Sequence, residues 1–201
     1  MDNNQKNNFI NLFRFEIYLN NDIQEKINSD IIELLTRQKL SNGGNQISNV
    51  GGFQTIPLPM EDNYKAFIKK NISNYIKNYK MLKKIKTVEV VGEHFWINEN
   101  NYSNYNMLHS HLGNSVSLTG IYYVKHPLKS GKLGFYNTNH EGTSLPFIFE
   151  GFDTYNWVDV TEGDFLLFPS SYRHCVEPNL SDENRISISF NLKLIENLHD
   201  D

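Results

Sequence analysis

The sequence predicts a mainly β fold, a sandwich, jelly roll or barrel, preceded by helices that pack against it. Helical periodicity in residues 23–35 and 61–84 is followed, from residue 87, by about eight short β-rich runs separated by Gly, Pro and Asn. The chain has 201 residues and no internal repeat, which suits one domain. We therefore expect a single domain over 1–201, with 1–86 as a helical buttress and 87–195 as the β core.

The N-terminal part combines one strand, two helices and a loop. Residues 9–19 alternate enough to form a strand, and Asp22 is expected to cap a helix that begins at Ile23. The apolar residues of that helix share one face at helical spacing: Ile23, Ile27, Ile31, Leu34 and Leu35. Residues 41–52 are predicted to form a Gly/Asn/Ser loop. The second helix, over 61–84, has an aromatic and aliphatic stripe that is typical of core packing.

The predicted strands of the β core are short runs of β-branched and aromatic residues bounded by turn signals. They cover 87–97, 115–125, 132–136, 146–149, 155–160, 164–169, 173–176 and 185–194. Many short strands with turns between them favour two packed sheets or a closed barrel over a parallel sheet.

Composition and charge exclude several classes of function. The net charge is −4, whereas a non-specific nucleic-acid binder is usually basic, so we expect no nucleic acid. Cys175 is the single cysteine, so no disulfide can form within the chain and a cytoplasmic location is expected. The polar start of the chain does not resemble a signal peptide, and no run of about 18 apolar residues predicts a membrane span.

Three of the seven histidines occur in a context that favours metal binding. His109 and His111 are two residues apart, and residues i and i+2 of an extended segment point to the same face. His174 follows a strongly apolar strand that ends at Pro169. Each feature alone is more often structural, since a single His-x-His pair is commonly a surface or packing feature. Together the three imidazoles predict a site that binds one metal ion.

Arg185 opens a strand in which polar and apolar residues alternate. Ser187 and Ser189 share its face, and Ile186, Ile188 and Phe190 occupy the other. One interpretation is a surface strand whose polar face meets water. The alternative is that Arg185 lines the inside of a barrel, where a guanidinium binds a carboxylate in two-pronged fashion and requires an anionic ligand.

Six segments resemble, in order, a small family of 2OG-Fe(II) oxygenases from bacteria and phages. They are SNVGGFQT, FWINEN, HSHLGNSVSLTGIYYVK, SGKLGFYNT, DFLLFPSSYRHCVEPN and ENRISISFNL. The resemblance covers nearly the whole chain and extends, more loosely, to prolyl hydroxylases. It implies a double-stranded β-helix, a jelly roll of the cupin type. It also implies an enzyme that uses Fe(II), 2-oxoglutarate and O2, and that hydroxylates its substrate with release of succinate and CO2.

The family pattern implies a role for each matching residue. His109 corresponds to the first metal ligand and His174 to the distal one. Tyr123 and Arg185 correspond to the pair that holds the distal carboxylate of 2-oxoglutarate, with Ser187 and Ser189 beside Arg185 on the strand. Asn98, on the strand leading into the metal motif, is a further candidate for contact with cosubstrate or substrate, although packing is an equal interpretation.

The second position of the metal motif departs from the superfamily pattern. That pattern has Asp or Glu two residues after the first histidine, whereas this sequence has His111. Three neutral imidazoles leave an Fe(II) site one charge unit more positive, which favours a dianionic cosubstrate. We favour His111 as the third ligand. The alternative is a carboxylate from a loop, for which Glu141, Asp153 and Asp159 are candidates.

Two other classes of function remain open from the sequence alone. One is a three-histidine metal enzyme that does not use 2-oxoglutarate, either a zinc hydrolase or a direct dioxygenase, because zinc accepts three histidines and a water. The other is a non-catalytic jelly-roll module that binds a sugar or a protein. The expected partner is a peptide or small-molecule substrate, with no membrane, and a homodimer is left open.

Overall fold

The computed structural model describes residues 14–15, 21–41, 44–60, 64–66, 87–89, 94–112, 116–136 and 155–195. Its elements, in chain order, are β1 (Arg14–Phe15), α1 (Asn21–Leu40), β2 (Gly44–Asn45), β3 (Asn49–Val50), β4 (Phe53–Thr55), β5 (Leu58–Pro59), β6 (Thr87–Glu89), β7 (His94–Asn100), β8 (Tyr105–His109), β9 (Leu118–Lys125), β10 (Leu133–Tyr136), β11 (Tyr155–Val158), β12 (Phe165–Pro169), β13 (His174–Val176) and β14 (Arg185–Ile195). A helical turn covers 64–66.

The described strands form two antiparallel sheets. The larger has the order β1-β12-β9-β14-β7-β4-β2, with β5 paired to β7 and β6 to β14. The smaller has the order β11-β10-β13-β8-β3. Most neighbouring strands in each sheet are not consecutive in the sequence, as expected for a jelly roll, and the mainly β fold predicted from the sequence is confirmed.

Helix α1 covers the outer face of the larger sheet. Ile27, Ile31 and Leu35 form one buried cluster with apolar residues of β7, β9 and β14. Burying three such side chains contributes roughly 5–9 kcal/mol before the entropy of ordering the chain is subtracted. Asn28 fixes the docking, because its Nδ2 donates to the carbonyl of Val124 at 3.1 Å and its Oδ1 accepts from the Tyr122 hydroxyl at 2.8 Å.

The alternation of side chains along β14 separates the two faces of the larger sheet. Ile186, Ile188 and Phe190 belong to the outer cluster with α1. Phe190 lies on the backbone of Gly120, where a Cβ atom would come within 2.1 Å of its ring. A glycine is therefore required at this point of β9. The residues of β14 that alternate with Ile186, Ile188 and Phe190 face the smaller sheet. A second apolar cluster packs between the two sheets.

The N-terminal part of the chain contributes strands to both sheets. The predicted loop 41–52 is wrong in part, because it contains β2 and β3, which extend the larger and the smaller sheet. The predicted strand 87–97 is two separate strands, β6 and β7. Strand β8, which ends at His109, was not predicted, because the polar residues that lead into it favoured a loop. Predictions for 146–149 and for most of 9–19 and 61–84 lie outside the described residues.

None of the helical segments that the structure describes has the length and apolar character needed to cross a membrane. The division into one domain with a helical buttress stays a prediction.

Candidate active site

The candidate site lies between the two sheets, and three neighbouring strands of the larger sheet build one wall of it. Arg185, Ser187 and Ser189 project from β14. Ser187 pairs in register with Asn98 of β7 and Tyr123 of β9. Side chains in register on adjacent antiparallel strands lie on the same face. The residues predicted for the site from these three strands therefore line a single cavity, whose volume is about 30 Å³.

The smaller sheet supplies the three histidines. His109 is the last residue of β8 and pairs in register with His174, the first residue of β13. His111 follows β8 by two residues, and its backbone N–H donates to the carbonyl of Ser170 at 2.9 Å. A β-bulge interrupts the pairing of β8 and β13 next to these residues, a feature that redirects side chains near functional sites.

The three imidazoles converge. Their ring centroids are 4.3 Å apart for His109 and His174, 5.1 Å for His109 and His111, and 5.2 Å for His111 and His174. One nitrogen from each ring lies within 4.8 Å of the corresponding nitrogen of the other two. Nitrogens bound to one ion at about 2.1 Å are at most about 4.2 Å apart, so small rotations of the rings bring all three to one metal.

Each imidazole has an oxygen acceptor at Nδ1. His109 Nδ1 is 2.7 Å from the carbonyl of Met107, and His174 Nδ1 is 2.9 Å from the carbonyl of Tyr172. His111 Nδ1 is 3.0 Å from Oδ1 of Asn191, which also accepts from the hydroxyl of Thr119 at 3.2 Å. A proton on Nδ1 satisfies these acceptors and leaves the lone pair of Nε2 for a metal. Nε2 of His111 is buried and lacks a hydrogen-bond partner among the described residues.

Burial keeps the rings neutral. Desolvation, with a smaller contribution from the neighbouring imidazole of His109, lowers the pKa of His111 to about 4 and that of His174 to about 3. The pKa of His109 is also lowered, chiefly by desolvation. Neutral imidazoles are the form that binds metal, so no proton has to be displaced from the ring cluster at neutral pH.

Arg185 lies in the same cavity and is 2% exposed. Its Nη1 donates to the backbone carbonyls of Ser130 and Glu177, whereas its Nη2 is buried without a partner among the described residues. Desolvation lowers the pKa of Arg185 to about 10, so the guanidinium stays charged at neutral pH. Gly131, with φ of 95°, allows this approach, because a Cβ there would lie 2.9 Å from Nη1.

Further polar groups beside Arg185 also lack partners in the described part of the chain. They are the hydroxyl of Tyr123 and Oδ1 of Asn98, both buried. Burial is the main reason that the pKa of Tyr123 is raised to about 12, so its hydroxyl is protonated and able to donate. Asn98 Nδ2 donates to Ser189 Oγ at 3.3 Å. Nη2 of Arg185 and the hydroxyl of Tyr123 are donors without partners among the described residues, and they indicate an anionic ligand whose oxygen atoms accept hydrogen bonds. Oδ1 of Asn98 is an acceptor and needs a donor instead.

The metal-binding cluster found among the described residues contains no carboxylate. Asp159, one of the alternatives to His111, forms an ion pair with Lys132 at 2.8 Å and is exposed. It lines a different cleft, away from the histidines. The other two alternatives, Glu141 and Asp153, lie outside the described residues. His111 is therefore the third metal-binding group that the described structure offers.

Sequence reasoning missed several residues that shape the site. Asn191, the acceptor for His111, continues the alternation of Arg185, Ser187 and Ser189, and this period was a usable signal. Trp96 was not missed: the sequence places it on the same face of its strand as Asn98, and both line the cavity. Trp96 stacks on His111 with ring centroids 5.6 Å apart and the ring planes inclined by 19°. The backbone carbonyls that accept from Arg185 could not be predicted from the sequence, because every residue has a carbonyl.

Comparisons with known proteins agree with this chemistry. Residues 94–191 match the sequence model of the family described as "Putative 2OG-Fe(II) oxygenase". None of the curated proteins matches the chain.

Solved structures show the same fold at low sequence identity. A prolyl hydroxylase from Trichoplax adhaerens, in complex with a hypoxia inducible factor peptide fragment, is 13% identical with a TM-score of 0.63, covering 94% of this chain and 91% of that one. A Pseudomonas putida prolyl-4-hydroxylase is 13% identical with a TM-score of 0.58, covering 90% and 91%. HygX from Streptomyces hygroscopicus, with nickel and 2-oxoglutarate bound, is 12% identical with a TM-score of 0.56, covering 96% and 88%.

The resemblance inferred from the sequence motifs is thus confirmed by the family match, and the double-stranded β-helix by the solved structures. Residues 94–191, which include the three histidines, Tyr123 and Arg185, match the family of 2OG-Fe(II) oxygenases.

Proposed function

We propose that the chain hydroxylates an uncharged or weakly polar substrate at an Fe(II) ion held by His109, His111 and His174, with 2-oxoglutarate held by Arg185 and Tyr123. The observation that carries the proposal is the pairing of two unusual features in one cavity. Three neutral imidazoles converge, with Nε2 of His111 lacking a hydrogen-bond partner, and Nη2 of a buried guanidinium nearby also lacks a partner among the described residues.

The charge of the cavity supports a dianionic cosubstrate. None of the described residues lining it is acidic, whereas Arg185 contributes one positive charge. A divalent ion on three neutral histidines adds two more. The two carboxylates of 2-oxoglutarate offset most of this charge, and a carboxylate matches the fork of a guanidinium. A cavity of this kind would be costly to leave without an anion.

The protein residues have separable tasks in this proposal. Arg185, held in place by two backbone carbonyls, orients the distal carboxylate, and the hydroxyl of Tyr123 donates a second hydrogen bond to it. Asn98, Ser187 and Ser189 lie beside them, and Ser189 already accepts a hydrogen bond from Asn98. The acceptors at the Nδ1 atoms hold each imidazole in one tautomer and orientation.

The cofactor supplies the oxidative chemistry, and the protein supplies orientation and exclusion of water. Hydroxylation consumes one substrate C–H bond, O2 and 2-oxoglutarate, and gives the alcohol, succinate and CO2. One oxygen atom of O2 enters the alcohol and the other enters succinate, so the reaction balances without another reductant. We propose a peptide or a small molecule as the substrate, and the similar hydroxylase from Trichoplax adhaerens, in complex with a peptide fragment, supports the peptide.

The first test is anaerobic titration of metal-free protein with Fe(II), followed by 2-oxoglutarate, while the visible charge-transfer band of the complex is recorded. The wild-type protein is expected to bind one Fe(II) and to develop the band. His111→Ala is expected to weaken Fe(II) binding, because one of three ligands is lost. His94→Ala is the matched control, since His94 is exposed at the start of β7 and does not line the cavity.

The same titration separates the proposal from a three-histidine enzyme that does not use 2-oxoglutarate. Such an enzyme would bind metal equally well with and without 2-oxoglutarate and would show no band. A folded, iron-loaded wild-type protein without the band would therefore contradict the proposed cosubstrate. Absence of bound metal altogether would favour the non-catalytic binding module.

The cell compartment and the absence of nucleic-acid binding are also proposals. Cys175 is a free, half-buried cysteine, and burial raises the pKa of its thiol to about 11. A protonated thiol with no partner cysteine in the chain suits the reducing cytoplasm. We propose a cytoplasmic enzyme that does not bind nucleic acid, in keeping with the net charge of −4.

A further inference from the structure

A second cleft opens on the other side of the metal-binding histidines. It shares Ser48, Trp96, His109 and His111 with the cavity that contains Arg185, and its volume is about 330 Å³, compared with about 30 Å³ for that cavity. None of the cosubstrate-binding candidates lines it. The two spaces therefore adjoin at His109 and His111 and differ in the rest of their lining.

The lining of this cleft is uncharged apart from any metal bound to the histidines. None of the described residues that line it is Asp, Glu, Lys or Arg. Its walls carry the apolar side chains of Ile47, Pro57, Leu112 and Val116, with Trp96 at the back. Ile47 and Leu112 are 66% and 76% exposed, so two large apolar side chains at the mouth face water. A charged ligand would lose its hydration here without gaining an opposite charge from these residues.

Gln54 is one of the uncharged polar residues in this lining, with Ser48, Ser110 and Asn191, and its side-chain oxygen lacks a partner in the described part of the chain. It lies on β4, in register with Asn98 of β7, and is 4% exposed. Its Oε1 is buried and accepts no hydrogen bond from any residue that the structure describes. A buried acceptor without a donor is costly in a folded protein, so its presence in a cleft next to reactive histidines indicates a ligand that supplies the donor.

We propose that this cleft binds the oxidised substrate, and that the substrate is an uncharged molecule or chain segment with an apolar group and an N–H or O–H donor. The donor hydrogen-bonds Oε1 of Gln54, and the apolar group lies against Ile47, Leu112 and Trp96. The inference rests on the proposed function for the metal at His109 and His111, and it adds the class of substrate that reaches this metal.

Small amides that differ in one property test the proposal. N-methylisovaleramide is neutral, with a branched apolar group and one N–H donor. N,N-dimethylisovaleramide lacks the donor, and isovalerate replaces the amide by a negative charge. Each is titrated by ligand-observed NMR into zinc-loaded protein saturated with 2-oxoglutarate, which occupies the Arg185 side. Cobalt-loaded protein then reports proximity to the metal, because the paramagnetic ion broadens the lines of a nearby ligand.

Gln54→Met is the variant that isolates the hydrogen bond, because methionine has a similar length and no donor or acceptor of comparable strength. Gln38→Leu, in helix α1, is the control for removing a glutamine outside the cleft. We expect N-methylisovaleramide to bind wild type about tenfold more tightly than the dimethyl compound, the size of one hydrogen bond. In Gln54→Met this ratio falls to about one, whereas Gln38→Leu retains it.

The thermal midpoint distinguishes binding from a structural role for Gln54. If Oε1 is unpaired in the free protein, Gln54→Met keeps or raises the midpoint, whereas a glutamine that holds the fold together would lower it. A tenfold ratio that persists in Gln54→Met would overturn the proposal. Isovalerate binding as tightly as the amide, or no cobalt-induced broadening of the amide, would also overturn it. Failure of the proposed function would appear separately, as absence of 2-oxoglutarate binding in the iron titration.

Discussion

Replacing Arg185 by leucine tests the most specific electrostatic feature of the site. Arg185 is 2% exposed, and its Nη2 has no partner among the described residues. In the complex we expect a distal carboxylate of 2-oxoglutarate to pair with this guanidinium. Leucine would leave that carboxylate buried without its cation, which costs about 3–5 kcal/mol. At about 1.4 kcal/mol for each factor of ten, the dissociation constant should rise by roughly two to three and a half orders of magnitude.

The stability of the free protein should change little in the same variant. Burial lowers the pKa of Arg185 from 12.5 to about 10, which corresponds to a charge destabilised by about 3 kcal/mol in the folded state. Leucine removes this cost but also removes two hydrogen bonds to the carbonyls of Ser130 and Glu177, worth about 1.5–3 kcal/mol each at most. These opposing contributions are of similar size. We expect a net change within about 2 kcal/mol, so loss of binding would not reflect unfolding.

The assay is the anaerobic titration of iron-loaded protein with 2-oxoglutarate, read at the charge-transfer band, with urea unfolding of the metal-free protein in parallel. Arg37→Leu is the matched control, because Arg37 is exposed on helix α1 and pairs only loosely with Glu33 at 3.7 Å. A dissociation constant for Arg185→Leu within threefold of wild type would refute the assignment. An equal loss in Arg37→Leu would show that the effect is not specific to the site.

Three further predictions follow from neighbouring contacts. Tyr123→Phe removes a buried hydroxyl that has no partner among the described residues, so 2-oxoglutarate affinity should fall about tenfold to a hundredfold while unfolding in urea shows no loss of stability. Asn191→Leu removes the acceptor of His111, so Fe(II) affinity should fall about tenfold to a hundredfold in a chelator competition, whereas Asn191→Asp, which keeps an acceptor, should retain it. The free energy of unfolding of the metal-free protein should fall on acidification. Below pH 6.5, His111 and His174 take up protons in the unfolded state but not in the folded state. The fall levels off below their folded pKa values of about 4 and 3. Between pH 7.5 and 5 each histidine lowers the free energy of unfolding by roughly 2 kcal/mol, so His111→Asn should reduce the total change by that amount. If the free energy of unfolding of wild type and His111→Asn changes equally with pH, the pKa assigned to His111 is wrong.

The local pattern of polar and apolar residues was sufficient to predict a helix or strand where one face of that element is buried. Helix α1 was predicted from apolar residues at helical spacing, and it covers Asn21–Leu40. The alternation of β14 correctly separated Arg185 and Ser189 from Ile188 and Phe190, because a strand with two different environments must alternate in polarity. Strand β8 was missed for the opposite reason. Its polar and apolar residues do not alternate regularly, since Met107 and Leu108 are adjacent, so the hydrophobic period that signals a strand is weak there.

The sequence by itself determined which chemical groups were available: three histidines in a metal-binding pattern, an arginine on the polar face of a strand, and motifs that resemble an oxygenase family. The tertiary structure decided which of these groups meet. His109 and His174 are 65 positions apart and become neighbours only because β8 pairs with β13. Asn191 supports His111, and Gln54 lies unpaired beside the histidines, through pairings between strands distant in the chain. Such contacts depend on which distant strands lie side by side, and the residue pattern within one strand does not specify its neighbours in the sheet.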